Sequence, residues 1–176
     1  MVEVKVKGIV SEKSSRRYNL LLEDKDRRVI LFSLGLLEAQ TVILELKKIN
    51  PDQPVIYGLI TSLLSELSAR LIRVEIVARR NDEYLTQLVV QLDDRLKYFE
   101  CRPSEGVILA LRHEVPVFVQ EDLMKEASAV FVARRRNKKD SGGTDLQPLN
   151  EDEAENIIRD IETLSTEEFW RKVKTR

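Results

Sequence analysis

What the 176-residue chain has little of narrows its chemistry first. It has one cysteine, Cys101, so no internal disulfide can form, and a reducing compartment is expected. It has one histidine, His113, so neither a His-rich zinc site nor a pair of histidines sharing acid and base work can be built within one chain. A Cys101–His113 nucleophile pair is conceivable, but the Arg102-Pro103-Ser104 turn and an apolar run lie between its members. The plainer reading is a core thiol and a helix-end imidazole. Aromatic residues make up 6%, without the stacking array that single-strand binders use. Net charge is nearly absent, 29 Lys and Arg against 30 Asp and Glu, so only a local patch could attract nucleic acid. No apolar run approaches the ~20 residues that span a bilayer. The opening Met1-Val2-Glu3-Val4-Lys5 alternates rather than forming the apolar stretch of a signal peptide. The expectation is a soluble, cytoplasmic protein with no membrane partner.

What is there is the composition of a globular domain, 43% hydrophobic and 34% charged. Val2, Val4 and Val6 alternate with Glu3, Lys5 and Lys7, which predicts a half-buried strand over 2–10. Tyr18–Leu22 and Val29–Phe32, joined by the charged run 23–28, predict a hairpin. Leu36 to Leu46 reads as a helix ending at Lys47-Lys48, where cations suit the C-terminal dipole. A turn-rich connector, 50–54, leads to a second helix with Ile56, Leu59, Ile60, Leu63, Leu64 and Leu67 at three- and four-residue spacings. Strands follow over Arg70–Ala78, Tyr84–Leu92 and Leu96–Cys101, with Asn81-Asp82 as a turn. Pro103 suits the first turn of a third helix, whose N–H needs no partner there. Pro116–Val119 reads as a short edge-like strand and Glu121–Ala127 as a short helix.

After Ala133 the composition changes. Arg134, Arg135, Arg136, Lys138 and Lys139 form a basic run, and Ser141-Gly142-Gly143 a flexible joint. Residues 151–168 hold eight acids and one base, Arg159, with Ile157, Ile158, Ile161 and Leu164 on one helical face. The expected division is a domain over 1–133, a basic linker over 134–150 and an acidic amphipathic helix over 151–176.

Two segments align without a gap at an offset of 67: Phe32-Ser33-Leu34-Gly35-Leu36-Leu37-Glu38-Ala39 and Phe99-Glu100-Cys101-Arg102-Pro103-Ser104-Glu105-Gly106. Each is a strand running into a helix with an acid in its first turn. The expected architecture is therefore α+β: duplicated strand–strand–helix units in a mixed or antiparallel sheet, with packed helices and a C-terminal helical appendage. Glu38 and Glu105 would occupy equivalent positions. First-turn acids also favour the helix dipole by about 0.3–1 kcal/mol, a structural explanation that stands beside any chemical one.

Cys101-Arg102-Pro103-Ser104-Glu105-Gly106-Val107-Ile108-Leu109-Ala110-Leu111-Arg112 resembles the signature of the bifunctional nuclease domain family, as do Val115–Val119 and Gly35–Gln40. The resemblance covers about residues 2–128. It implies a non-specific, metal-dependent nuclease cutting DNA and RNA, with Mg²⁺ or Mn²⁺ as cofactor, nucleic acid as a partner and a homo-oligomer, most simply a dimer. Two departures stand out. The family's His-Asp pair at the start of the second helix is replaced by Tyr57-Gly58, and its Asp after Arg-Pro-Ser is Glu105. The implied catalytic set is Glu38, Arg102, Ser104 and Glu105, with Glu38 and Glu105 as metal ligands and Glu100 as a further acid. Arg134, Arg135, Arg136, Lys138 and Lys139 would grip phosphates without reading bases. The structural alternative has Ser104 and Glu105 capping the helix, Arg102 paired with a nearby acid, and the basic run lying against the acidic segment. The alternative function is a catalytically silent oligomeric or nucleic-acid-binding module on the same scaffold.

Overall fold

Alternating apolar residues build two antiparallel meanders, which the computed structural model describes over residues 1–12, 17–49, 56–81, 83–137 and 146–162. Side chains at 12, 132–137 and 159–162 are outside that description, as are the expected connector 50–54, Asp82, Lys138, Lys139 and the glycine joint. The first meander is β1 (Val2–Glu12), β2 (Arg17–Asp24) and β3 (Val29–Leu34), followed by α1 (Leu36–Lys47). Val4, Leu20, Leu22, Ile30 and Phe32 turn into the core. The β1–β2 register shifts between Val6 and Gly8, and Gly8 sits there at φ +134°, a backbone that a side chain would strain. The second meander is β4 (Arg70–Arg80), β5 (Glu83–Leu92) and β6 (Arg95–Cys101), followed by α3 (Pro103–His113). Between the meanders lies α2 (Ile56–Glu66).

The chain then closes one mixed sheet in the order β3-β2-β1-β7-β4-β5-β6. Here the edge expectation for Pro116–Val119 is corrected: β7 (Val117–Val119) is central. It is antiparallel to β1 (Val2 opposite Val119) and parallel to β4 (Val74 opposite Val117). Pro116 is tolerated because it stands just outside the ladder, where its carbonyl still accepts from the Val74 N–H at 3.0 Å. Phe32 on β3 and Tyr84 on β5 lie five places apart in the sheet order, roughly 24 Å in a flat sheet at ~4.8 Å per strand. Their ring centroids are 4.9 Å apart, edge to face, so the sheet curls strongly around its core.

The short helix expected at Glu121–Ala127 is also corrected, because α4 runs from Glu121 to Asn137. No glycine or proline stands between Ala127 and Gly142 to stop it sooner. The backbone of Arg134–Arg136 therefore belongs to a helix. Beyond it, β8 (Leu146–Pro148) pairs with β1, and α5 (Glu151–Glu162) buries Ala154 and Ile157 in the core. Asn150 and Glu153 cap α5 reciprocally, at 2.8 and 3.2 Å. The segment expected as an appendage thus lends the domain a strand and an apolar helix face; the amphipathic pattern of α5 is the reason. No helix among the described residues is long and apolar enough to cross a membrane.

One buried group stands out against this well-satisfied frame. Thr86 is fully buried, and its hydroxyl has no hydrogen-bond partner among the described residues. An unpaired buried hydroxyl costs ~1 kcal/mol or more, while valine has nearly the same shape. Thr86→Val is expected to stabilise the protein by ~1 kcal/mol and raise its Tm by roughly 2–4 °C, measured by chemical and thermal unfolding.

Candidate functional site

Three contacts fix how α1 and α3 lie. The Ser104 hydroxyl donates to Glu38 Oε1 at 2.6 Å, Arg112 pairs with Glu45 at 2.6 Å, and Lys48 Nζ donates to Glu114 Oε1 at 2.7 Å. Start meets start and end meets end, so the helices run side by side in the same direction. Their N-terminal dipole ends converge. Each start is built alike: the Gly35 N–H donates to Glu38 Oε2 at 2.7 Å, and the Arg102 N–H to Glu105 Oε2 at 2.9 Å. The backbone at Gly35 and Arg102 is extended in both cases, and each helix ends on a left-handed residue, Lys48 at φ 54° and Glu114 at φ 53°.

Glu38, Arg102, Ser104 and Glu105 therefore gather in one place. Arg102 spans it: Nε and Nη2 donate to Glu105 Oε1 at 3.0 and 2.9 Å, and Nη2 stands 3.6 Å from Glu38 Oε1. Its side chain is 70% exposed, whereas Ser104 is buried. Burial pushes the Glu105 carboxyl up, but the Arg102 N–H and guanidinium outweigh it and hold the group below its usual range. Glu105 and then Glu38 in turn raise Arg102. The site is thus an exposed cation held over two helix-capping carboxylates.

The arrangement does not fit a resident Mg²⁺ or Mn²⁺. Such an ion needs several free oxygen donors in an octahedral set. Here all four carboxylate oxygens already accept hydrogen bonds from Gly35, Ser104 and Arg102, and a guanidinium occupies the charge-compensating position. Among the described residues no three His, Cys, Asp or Glu side chains gather as a metal site. Glu100 does not join, since it is next to Cys101 on β6 and so points to the opposite face of the sheet. The side chains of Arg134, Arg135 and Arg136 lie outside the described residues, as do Lys138 and Lys139 altogether.

Two neighbours complete the picture. Burial raises the Tyr57 phenol, and Glu105 and Glu38 raise it further against the pull of Arg102. Tyr57 therefore feels the site's charges and stays a neutral hydrogen-bond donor near pH 7. Burial, then Glu105, pushes the Cys101 thiol up to about 12, which makes it a poor nucleophile. His113 stands at the other end of α3, roughly 16 Å away at ~1.5 Å per residue, with Nε2 3.1 Å from the Thr61 hydroxyl. The Cys–His pair is excluded by that separation.

The Glu45–Arg112 pair escaped the sequence reading, although a signal was there. Its spacing of 67 matches the repeat offset, so two parallel helices must bring these residues level. Arg112 lies against Gly58, where an added Cβ would come within 3.1 Å of its guanidinium.

A model of the bifunctional nuclease domain matches residues 20–131, a span that holds both carboxylate-capped helices and the Arg102-Pro103-Ser104-Glu105 start. The chain belongs to the bifunctional nuclease domain family. It is also similar to two proteins of Mycobacterium tuberculosis, "Uncharacterized protein Rv1829" of strain ATCC 25618 / H37Rv and "Uncharacterized protein MT1877" of strain CDC 1551 / Oshkosh. Each is 29% identical over 170 residues, 96% of this chain and 98% of the relative. That likeness runs past the bifunctional nuclease domain itself and takes in β8 and α5.

Proposed function

We propose that this bifunctional nuclease domain protein hydrolyses nucleic acid phosphodiesters slowly and without sequence preference, at the joined N-termini of α1 and α3. The observation that carries the reading is Arg102, a solvent-facing guanidinium fixed between two carboxylates where two helix dipoles end. Family membership supports the substrate class. Arg102 would contact a phosphate, and charge-assisted bonds of this kind are strong. Glu38 or Glu105 would then take a proton from the attacking water as the new P–O bond forms. The leaving oxygen would draw its proton from solvent. Slowness follows from Arg102 itself, since a carboxylate whose affinity for protons is lowered is a weak base. Sequence indifference follows from contacts confined to phosphates, with Arg134, Arg135, Arg136, Lys138 and Lys139 as further grips.

A second reading has its own support. Every oxygen of Glu38 and Glu105 is already engaged, and Tyr57-Gly58 supply neither a base nor a carboxylate. These observations favour a catalytically silent module that binds nucleic acid or assembles on the same scaffold.

A plasmid and RNA degradation assay with full-length protein decides between them, run with Mg²⁺, with Mn²⁺ and with chelator. The metal arms test whether a cation that the resting carboxylates do not hold arrives with the nucleic acid. Slow loss of both substrates is expected, and Arg102→Ala should lower it at least ~10-fold with a matching loss of binding. Binding without cutting in every arm would establish the silent module.

A further inference from the structure

We infer that the Tyr57 hydroxyl is a substrate contact, which together with Arg102 Nη1 holds the two non-bridging oxygens of one phosphodiester. The inference takes its ligand class from the phosphodiester reading above, and it concerns binding rather than turnover.

The seat of α2 brings Tyr57 to the site. Thr61 Oγ1 lies 3.1 Å from His113 Nε2 on α3. A Cβ on Gly58 would stand 3.1 Å from Arg112 Nη1, and Nη2 of that guanidinium reaches Glu45 of α1 at 2.6 Å. The first turn of α2 therefore lies over the groove between α1 and α3. Tyr57 stands one turn before Thr61 on the same helical face, and it is the residue of α2 that the domain buries, 9% exposed. Glu105, Glu38 and Arg102 all act on its phenol, which sets the ring toward the end of the groove where the two helix starts meet.

The hydroxyl lacks an acceptor there. Among the described residues it has no hydrogen-bond partner, and unlike that of Thr86 it is not sealed from solvent. The neighbouring carboxylates do not serve it, because their four oxygens are engaged by Gly35, Ser104 and Arg102. Arg102 directs Nε and Nη2 to Glu105, and its Nη1 has no acceptor among the described residues. Two donors at one site thus wait for an acceptor, and one of them sits on a side chain held almost wholly inside the protein. An unpaired donor in that position costs free energy, which a ligand oxygen relieves.

Charge selects the ligand. Glu38 and Glu105 against Arg102 leave these side chains with one unit of negative charge. A dianionic monoester or free phosphate is therefore repelled more than a diester, which carries a single charge. Burial keeps the phenol protonated, so Tyr57 adds a donor without adding charge. A diester offers two non-bridging oxygens, one for each donor.

Full-length protein made with 3-fluorotyrosine has fluorine signals from Tyr18, Tyr57, Tyr84 and Tyr98, and Tyr57→Phe identifies the second. In chelator, thymidylyl-thymidine, with its one phosphodiester, should move the Tyr57 signal, and thymidine should not. Inorganic phosphate should need at least a ~10-fold higher concentration for the same shift. Arg102→Ala should weaken the response to the dinucleotide at least ~10-fold. Tyr57→Phe should weaken dinucleotide binding, followed by its phosphorus resonance, by about 10-fold, with Tm unchanged because the hydroxyl had no partner to lose. A Tyr57 signal that ignores the dinucleotide, or that follows thymidine or inorganic phosphate as readily, would overturn the assignment. So would a Tm lowered by more than ~4 °C in Tyr57→Phe, which would make the hydroxyl structural. Plasmid cutting with an unmoved Tyr57 signal would sink this contact and leave the nuclease reading standing. A moved signal without cutting would uphold the contact and sink the nuclease reading.

Discussion

Glu38→Gln and Glu105→Gln are each expected to lower plasmid and RNA cutting by at least ~100-fold, because a positioned base contributes about 10²–10⁴. The amide keeps an oxygen that can accept from Gly35 or Arg102, so each helix cap survives. What it removes is the negative charge that can take a proton and that holds Arg102 in place. The pair between Arg102 and Glu105 is largely solvated, so its loss should cost at most ~1 kcal/mol of stability. Activity and stability are thus expected to separate: circular dichroism and Tm stay near those of the parent while turnover disappears. Glu114→Ala, at the opposite end of α3, should leave turnover unchanged. Full activity in both Glu→Gln variants, or cutting indifferent to Arg102→Ala, would mean that these residues only cap helices. Activity would then have to be sought elsewhere or attributed to a contaminant.

The order of elements was legible because each follows a local rule. Period-two alternation marks β1, first-turn acids and Pro103 mark the starts of α1 and α3, and the offset of 67 sets Glu38 level with Glu105, next to its hydrogen-bond partner Ser104. The site's four residues were accessible to sequence for the same reason: each stands at a helix start. What local rules do not carry is pairing between distant segments. The central place of β7 depends on Val117 finding both β1 and β4, and three residues beside a proline give no hint of two ladders. The seating of α5 depends on Ala154 and Ile157 meeting α1, while the charge count of that segment suggests only solvation. The pairing of Arg102 with a nearby acid was one of the two readings of the sequence; what spacing does not show is that it stands against both Glu105 and Glu38, or which carboxylate oxygens are already taken. In both meanders a strand leads straight into an acid-capped helix.

Asp24→Ala is expected to destabilise the protein by about 2–3 kcal/mol at pH 7, through loss of a buried, charge-assisted hub. The Asp24 side chain has no exposed surface. Its Oδ1 accepts from the Asp26 and Arg28 N–H groups, each at 2.9 Å, and its Oδ2 accepts from Arg28 Nε and Nη2, each at 2.7 Å. Arg28 carries the connection on to Glu121 at 2.6 Å, so one carboxylate fixes the β2–β3 turn and ties it to α4. The pH dependence has a defined sign. Burial pushes the Asp24 carboxyl up, but the Arg28 N–H and guanidinium bring it below 3.8; Glu75, held by Arg73 and Gln87, is likewise lowered despite burial. A carboxylate with a lowered folded pKa contributes stability above its unfolded pKa and loses it as pH falls through the folded value. His113 acts in the same direction at higher pH: burial, then Arg112, lowers its pKa below 6.5, so acid begins to favour the unfolded chain there first. Stability of the parent should be flat between about pH 7 and pH 8, decline slightly below pH 6.5 and fall steeply below pH 4; above about pH 9 it should fall again, because the buried Cys101 thiol, held up to about 12, ionises more readily in the unfolded chain. In urea titrations across that range, the deficit of Asp24→Ala should shrink as pH drops below 4, because the parent then loses the same charge. A constant deficit down to pH 2 would mean that the turn depends on the shape of Asp24 and not on its charge.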